Sequence, residues 1–172
     1  VKLARRQFAP QIIRLTLARL HIIGKDQVTS DLPEHRHMKG KKLQSYGDLT
    51  VDERTRGLGG LLTSCGEENL LRLKDDRYLG RDICVHEFAH TLHELAIVKL
   101  IPDFQARLDR AFVDAKKRGT WRNTYAMTNE REYWAEAVQS WFDTNRHDDS
   151  EHGPIDTREE VADLAHGVHR QL

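Results

Sequence analysis

The sequence predicts an α+β fold that is mostly helical, built as a single domain over residues 1–172 with a small N-terminal sheet. Several stretches carry apolar residues at three- and four-residue spacing, which is typical of amphipathic helices. Short apolar runs between turn residues favour strands in the first half of the chain. At 172 residues, with no linker-like or low-complexity stretch, the chain is long enough for one core and offers no boundary for a second domain.

The predicted sheet elements lie in the first 73 residues. A helix is expected over residues 8–19, and residues 20–23, which precede a glycine, are expected to form a strand. Residues 26–57 are polar and rich in turn formers, which predicts a long surface excursion.

Two further strands are expected after this excursion, at residues 61–63 and 69–73, on either side of a turn over residues 64–68. The glycine-rich residues 57–60 are interpreted as a break between elements. They do not fit a phosphate loop, because no lysine and helix follow them.

A long helix is predicted over residues 82–100. This stretch contains no Gly or Pro, and Pro102 follows its end. Its apolar residues recur at helical spacing: Val85, Phe88, Ala89, Leu92 and Ala96.

This helix carries the sequence His86-Glu87-Phe88-Ala89-His90. Two histidines four residues apart project from one helix face and can bind one metal ion, and the glutamate after the first can reach a water on that ion. This is the H-E-x-x-H arrangement of zinc hydrolases. The longer pattern with a third histidine is excluded, because it needs Gly at position 93 and His at position 96, where this chain has His93 and Ala96.

A third ligand is expected from a second helix that starts after Asn129, a favourable N-cap. Glu132 and Glu136 lie one turn apart on a common face of it, and carboxylates are costly to bury without a positive partner. Zn²⁺ held by His86, His90 and Glu132, with a fourth position for water, is a standard catalytic site. Glu136 would accept a hydrogen bond from the non-ligating nitrogen of a zinc histidine, although the two glutamates could exchange roles. The simpler alternative is a pair of exposed acids.

The segments VHEFAH and YAMTNEREYWAEAVQSWF together resemble the catalytic domain of the anthrax-toxin lethal-factor type of zinc metallopeptidase, and more distantly the Pro-Pro endopeptidases. The resemblance covers about residues 82–142 and implies a zincin-like domain. It also implies Glu132 as the metal-binding glutamate, Glu136 as the second acid of the motif, and Tyr125, seven residues before Glu132, as an aid to catalysis. Peptidases of this architecture bind extended substrates along an edge strand, and residues 69–73 are the candidate for it.

These observations favour a zinc-dependent endopeptidase that acts on a peptide or protein substrate. Glu87 is expected to activate a zinc-bound water, and Tyr125 to stabilise the developing oxyanion. Two alternatives stay open. One is a degenerate zinc-binding domain that acts as a binding module, and the other is a helical domain without metal.

Composition excludes several partner classes. Lys plus Arg equals Asp plus Glu, at 27 each, and the charges are interspersed, so no basic footprint of a nucleic-acid binder is present. No apolar run is long enough to cross a membrane. The sequence indicates neither the oligomeric state nor the location. The two cysteines, Cys65 and Cys84, could form one disulfide, which would suit a secreted enzyme, whereas free thiols would suit a cytosolic one.

The remaining predictions concern the second half of the chain. A helix is expected over residues 103–118, ended by Gly119, and Trp121 is expected in the core. Residues 145–153 are interpreted as a solvated polar loop. Thr157 and Glu160 form a capping box that opens a last helix through about residue 169.

Overall fold

A computed structural model describes residues 18–44, 47–147 and 149–165. The α+β, mostly helical fold class is confirmed: one small sheet is covered by helices. Most of the helix predicted over residues 8–19 lies outside the described residues, and Arg19 itself opens a strand. The strands are β1 Arg19–Ile23, β2 Gly57–Leu58 and β3 Leu62–Gly66. The α-helices are α1 Val51–Arg54, α2 Glu67–Leu70, α3 Ile83–Leu92, α4 Val98–Leu100, α5 Phe104–Arg118, α6 Glu130–Trp141 and α7 Arg158–Ala165.

The sheet has the order β1-β3-β2, with β1 parallel and β2 antiparallel to the central strand. All five residues of β3 are buried. The prediction of a turn over residues 64–68 was therefore wrong, since Ser64 continues the strand. The strand predicted at residues 69–73 was also wrong, because helix α2 occupies its beginning. The Asn69 side chain is buried there and bonds Asp76 and the backbone of Arg81 and Ile83, a set of contacts that fixes a turn.

The surface excursion predicted over residues 26–57 is confirmed in part, because residues 36–44 and 47–49 are exposed apart from a half-buried Met38. Two 3₁₀ helices, Thr29–Asp31 and Pro33–Met38, and helix α1 also form in this segment, and they bury several of its side chains. Polar groups are buried here because they find partners inside the protein. Thr29 donates to the Thr55 carbonyl, and Arg56 forms a buried ion pair with Glu68 at 2.7 Å. The polar composition therefore predicted the exposed middle of the segment but not the burial near its two ends.

Helix α3 begins as predicted, with Asp82 as its N-cap accepting from the Val85 N–H. The continuous α-helix expected to residue 100 is interrupted by a π-helical turn over His93–Ile97, which continues into α4. His93 is buried in this turn and contacts Gln105 of α5 at 2.9 Å. The wider turn brings the His93 ring against a neighbouring helix, which periodicity alone does not anticipate.

The other helices follow the prediction closely. Helix α5 ends at Gly119 in the left-handed conformation, and the Thr157–Glu160 capping box opens α7. The last part of the helix predicted to about residue 169 lies outside the described residues. Trp121 is buried. The predicted solvated loop over residues 145–153 was wrong in part, because Asn145 and His152 are buried. Among the residues that the structure describes, each helix is too short or too polar to span a bilayer.

A disulfide joins Cys65 in β3 to Cys84 in the first turn of α3. Their Cα atoms are 5.3 Å apart, a usual distance for a disulfide, and both cysteines are buried. The disulfide therefore attaches the central strand to the helix that carries the two histidines.

Candidate metal centre

Three donor atoms from two helices meet at one point. Helix α3 supplies His86 and His90 from one face, and α6, which packs against it, supplies Glu132. The Nε2 atom of His86 lies 3.0 Å from Glu132 Oε2 and 3.2 Å from His90 Nε2. The third separation, from His90 Nε2 to Glu132 Oε2, is 3.4 Å. This group of residues can hold a metal ion.

The donor spacing fits a tetrahedral ion. Zinc bonds to histidine nitrogen and carboxylate oxygen are about 2.0–2.1 Å long, so tetrahedral ligand atoms lie about 3.3 Å apart. The three separations of 3.0, 3.2 and 3.4 Å fall around this value. The chemistry of two imidazoles and one carboxylate is also that of catalytic zinc sites.

Gln139 sets the tautomer of His86. The Gln139 Nε2 atom donates to the carbonyl of Asp82 at 2.8 Å, so its Oε1 is the atom that faces His86 Nδ1, also at 2.8 Å. An amide oxygen only accepts, and Nδ1 must therefore carry the proton. In a neutral ring the lone pair then lies on Nε2, which points at Glu132 and His90.

Glu136 lies behind the same imidazole and is 1% exposed. Its Oε1 is 3.3 Å from His86 Nδ1, and its Oε2 accepts from the side-chain amide of Asn145 at 2.9 Å. Arg81 lies 3.5 Å from the Glu136 carboxylate. The structure thus places Glu136 on the outer side of His86, and the shorter contact to Nδ1 belongs to Gln139.

The carboxylates favour positive charge at the centre. Burial lowers the pKa of His86, but hydrogen bonds to Glu132 and Glu136 raise it overall to about 10. Burial raises the pKa of Glu132, but hydrogen bonds from His86 and His90 hold it well below its usual range. A proton or a metal ion can supply this charge, and the arrangement is electrostatically suited to a cation.

The three donors open into a cleft of about 290 Å³. Glu87 lies in this cleft, where burial raises the pKa of its carboxyl. The cleft is further lined by Gly57, Gly59, Tyr78, Arg81, Tyr125 and Arg131. The structure therefore places Glu87 and Tyr125 in the same cleft as the three donors.

Tyr125 lies on the 3₁₀ turn that precedes α6. Its ring centre is 6.2 Å from that of His86, and the Arg81 guanidinium lies 5.8 Å from the Tyr125 ring centre. Burial raises the pKa of the Tyr125 phenol, and the charges of Glu132 and Glu87 raise it further. The phenol therefore keeps its proton and can act as a hydrogen-bond donor.

Strand β2 forms one wall of the cleft. It pairs with β3 on one side and is an edge of the three-stranded sheet. A Cβ on Gly59 would lie 2.8 Å from the Glu87 carbonyl and 2.8 Å from His90 Cβ, so only glycine allows this close approach. The edge strand beside the metal centre is thus Gly57–Leu58, and the assignment of residues 69–73 to that position was wrong.

Comparisons of the chain with protein-family models, with curated proteins and with solved structures found no match. The likeness to the lethal-factor type therefore rests on the two sequence segments that carry it.

Gln139 and Trp134 also support the centre, and sequence reasoning missed both. Gln139 is seven residues after Glu132 and three after Glu136, so the three form one polar stripe along a face of α6. That stripe was the available signal. Trp134 donates from its Nε1 to the Ala89 carbonyl at 2.9 Å and links α6 to α3 next to His90.

Proposed function

We propose that this protein is a zinc-dependent metallopeptidase that hydrolyses peptide bonds. The observation that carries the proposal is the convergence of His86, His90 and Glu132, whose donor atoms have the spacing of a tetrahedral site, on a cleft that also contains Glu87. Bound there, zinc supplies Lewis-acid chemistry: it lowers the pKa of water and polarises an amide carbonyl.

Glu87 acts as the general base. It follows a ligand histidine on α3 and reaches the cleft, and burial raises the pKa of its carboxyl towards the working pH. A base of this kind takes a proton from the attacking water and later transfers it to the leaving amine. The backbone of Gly57–Gly59 packs against Glu87, which limits the positions its carboxylate can take.

Tyr125 and strand β2 position the substrate in this mechanism. The Tyr125 phenol donates a hydrogen bond to the oxygen that becomes negative when the amide is attacked. The free edge of β2 pairs with the extended backbone of a peptide, a mode of binding that makes few demands on side chains. Both features face the cleft of the metal centre.

The decisive experiment combines metal analysis with a peptide digest. The purified protein is expected to contain about one zinc per chain and to cleave a peptide library, with cleavage lost on chelation and restored by zinc. Glu87→Gln should keep the zinc and lose hydrolysis. Glu132→Gln should weaken zinc binding about 10-fold to 100-fold or more, because it removes a charged ligand.

Glu130→Gln is the matched control, because Glu130 lies on the same helix as Glu132 and does not line the cleft. It should bind zinc and cleave peptides as the unaltered protein does. Hydrolysis by zinc-loaded Glu87→Gln would contradict the mechanism. Stoichiometric zinc without cleavage of any peptide would favour the alternative, a zinc-binding module.

We also infer that the enzyme is exported. The Cys65–Cys84 disulfide supports this, since disulfides persist mainly in oxidising compartments. Thiol alkylation of the protein taken directly from its native source tests the inference. Full protection of both cysteines is expected, and two alkylated thiols would contradict it.

A further inference from the structure

The loop after α6 contacts the surroundings of the candidate metal centre at three points. The Asn145 side chain donates to Glu136 Oε2 at 2.9 Å. The Glu151 carbonyl accepts from the backbone N–H of Tyr125 at 2.7 Å. The third contact comes from His152, which is buried like Asn145. The described residues of this loop do not line the cleft, so they influence the centre through these contacts.

The partners of His152 determine which of its ring nitrogens carries the proton. Its Nε2 atom contacts a terminal nitrogen of Arg81, and a guanidinium has donors but no acceptor. Nε2 must therefore accept. Its Nδ1 atom lies 2.8 Å from both carboxylate oxygens of Asp149, which accept its proton, and Arg146 also contacts that carboxylate at 2.7 Å. His152 is thus a neutral imidazole whose lone pair is directed at Arg81.

Arg81 in turn contacts two groups of the candidate site. Its Nη1 atom is 3.5 Å from Glu136 Oε1, and the same oxygen is 3.3 Å from Nδ1 of His86. The guanidinium carbon lies 5.8 Å from the ring centre of Tyr125, within the range of a cation–π contact. Arg81 is 7% exposed and lines the cleft. A shift of this one side chain would therefore reach both the outer side of His86 and the phenol.

The neutral state of His152 indicates what this residue contributes. Arg81 already has a buried acidic partner in Glu136 and a half-exposed one in Glu151, at 3.9 Å. A neutral acceptor adds no charge to balance the guanidinium. It holds one guanidinium nitrogen in a fixed direction, because a hydrogen bond weakens steeply when donor and acceptor are misaligned. His152 is thus suited to orient Arg81 rather than to neutralise it.

We propose that Arg81 is a positioning residue of the reaction and that His152, held by Asp149, sets its orientation. This inference rests on the proposed function, because it concerns the same centre. Arg81 acts on the metal centre through the carboxylate of Glu136 behind His86. It acts on the reacting amide through the ring of Tyr125.

Two substitutions at His152 separate orientation from packing. His152→Gln places an amide oxygen near the position of Nε2, so Arg81 keeps an acceptor. His152→Asn is one methylene shorter; it can still donate to Asp149 but leaves Arg81 without an acceptor. Zinc affinity should fall about threefold to 10-fold in His152→Asn, less than on loss of a direct outer partner of a ligand, and less than about twofold in His152→Gln. Competition with a chelator measures both.

His35→Asn is the matched control. His35 is also buried, contacts Ser64 at 3.4 Å and does not line the cleft. Its replacement by a smaller amide should lower the stability in urea and leave the zinc affinity unchanged. A fall in zinc affinity seen only in His152→Asn is therefore not a general effect of a weakened core.

A double-variant cycle shows how Arg81 acts. Arg81→Met should lower zinc affinity about 10-fold in the unaltered protein. In the Glu136→Gln protein the same change should have little further effect on zinc affinity, because the route through Glu136 is already removed. The double variant also leaves no unpaired buried charge at this position. It should still have a lower kcat than Glu136→Gln, with little change in KM, because Tyr125 has lost its neighbour.

Nitrogen NMR of the zinc-free protein adds a readout that needs neither metal nor turnover. His152 should be found as the Nδ1–H tautomer, and a proton on Nε2 overturns the inference. Equal zinc affinities of His152→Gln and His152→Asn overturn it as well, and so does a full further loss when Arg81→Met is added to Glu136→Gln. The peptidase proposal fails separately, if the unaltered zinc-loaded protein cleaves no peptide while these differences in affinity hold.

Discussion

The imidazole of His86 is held from both sides. Its Nε2 atom faces the metal centre, and its Nδ1 atom faces Gln139 at 2.8 Å and Glu136 at 3.3 Å. The other histidine of the candidate centre has no such support, because Nδ1 of His90 is buried without a hydrogen-bond partner among the described residues. Of the two imidazoles, only that of His86 is therefore held in its orientation by hydrogen-bond partners behind the centre.

Gln139→Leu should weaken zinc binding about 10-fold to 100-fold, which is the usual effect of removing an outer partner of a metal ligand. Leucine has a similar size but leaves Nδ1 of His86 without its closest acceptor. Zinc affinity measured by competition with a coloured chelator checks this, and the spectrum of the cobalt-substituted protein reports the change at the ion.

Gln139→Glu serves as the comparison, since a carboxylate still accepts from Nδ1. It should retain most of the zinc affinity, although it loses the donor to the Asp82 carbonyl. Equal weakening by both substitutions, with equal loss of thermal stability, would show that Gln139 has only a packing role.

Tyr125→Phe should lower kcat about 100-fold with little change in KM, because an oxyanion donor acts mainly in the transition state. Steady-state kinetics on a cleaved peptide checks this. Tyr133→Phe is a suitable control, since Tyr133 packs against Trp121 and Phe112 outside the cleft. Unchanged turnover in Tyr125→Phe would leave the phenol without a role in the reaction.

The sequence predicted the residues that meet at the candidate metal centre. His86, His90, Glu132 and Glu136 could be chosen because helical spacing places each pair on one face. Nothing in the sequence singled out Arg81 as a residue that supports the candidate centre. Its importance depends on Glu136, Glu151 and His152, which come from distant parts of the chain and meet only after folding.

Among the elements, the contact between β2 and α3 is unusually close. A Cβ on Gly57 would lie 2.3 Å from Ile83 Cγ2, and one on Gly59 would meet the backbone of Glu87. Thr91 strengthens the contact by accepting from the Gly60 N–H at 3.2 Å. The strand can therefore reach the metal centre only as a glycine-rich segment.

Gly59→Ala should destabilise the protein by about 1–3 kcal/mol, because the added methyl group has no space and must push β2 away from α3. Urea denaturation checks the stability, and the same shift should reduce peptide binding. Gly24→Ala is the control, because its Cβ would meet only the flexible Gln27 side chain. A fully stable Gly59→Ala protein would show that β2 moves freely.

Most helices of the described residues could be predicted well, and so could strand β1, which was expected at residues 20–23, whereas strand β2 could not. Both α5 and α6 have apolar residues at helical spacing. Gly119 marks the end of α5, and Asn129 marks the start of α6 as its N-cap. Strand β2 has two residues and a glycine, so no alternation of apolar and polar residues marks it. The apolar residues around 69–73 gave a stronger strand signal, which the buried contacts of Asn69 overrode.

For the whole molecule, the Cys65–Cys84 disulfide links the sheet to the helix that carries His86 and His90, across 19 residues of sequence. Closing a loop of this length in the unfolded chain is worth about 3 kcal/mol in the chain-entropy model. The double variant Cys65→Ala, Cys84→Ala should lose stability of that order in urea denaturation. A reductant should lower the stability of the unaltered protein and leave the double variant unchanged. Identical denaturation curves for the unaltered protein without reductant and for the double variant would contradict this.

The polar parts of the molecule limited prediction at this scale. Residues 26–57 and 145–153 carry many charged side chains, and the expectation that they lie in solvent holds for only part of each segment. The buried groups find partners inside the protein, as Arg56 does with Glu68 and His152 does with Asp149. Such pairings join residues far apart in the sequence as well as near neighbours, and composition does not reveal them.

The hydrogen bond from Trp134 to the Ala89 carbonyl bears on how the candidate centre would take up an ion. It joins α6 to α3 beside His90, so Glu132 is held close to the two histidines before any ion binds. The three donors are thus preorganised, and a cation would not first have to draw the two helices together. Trp134→Phe should therefore slow the capture of zinc more than it speeds its release, which stopped-flow mixing can measure.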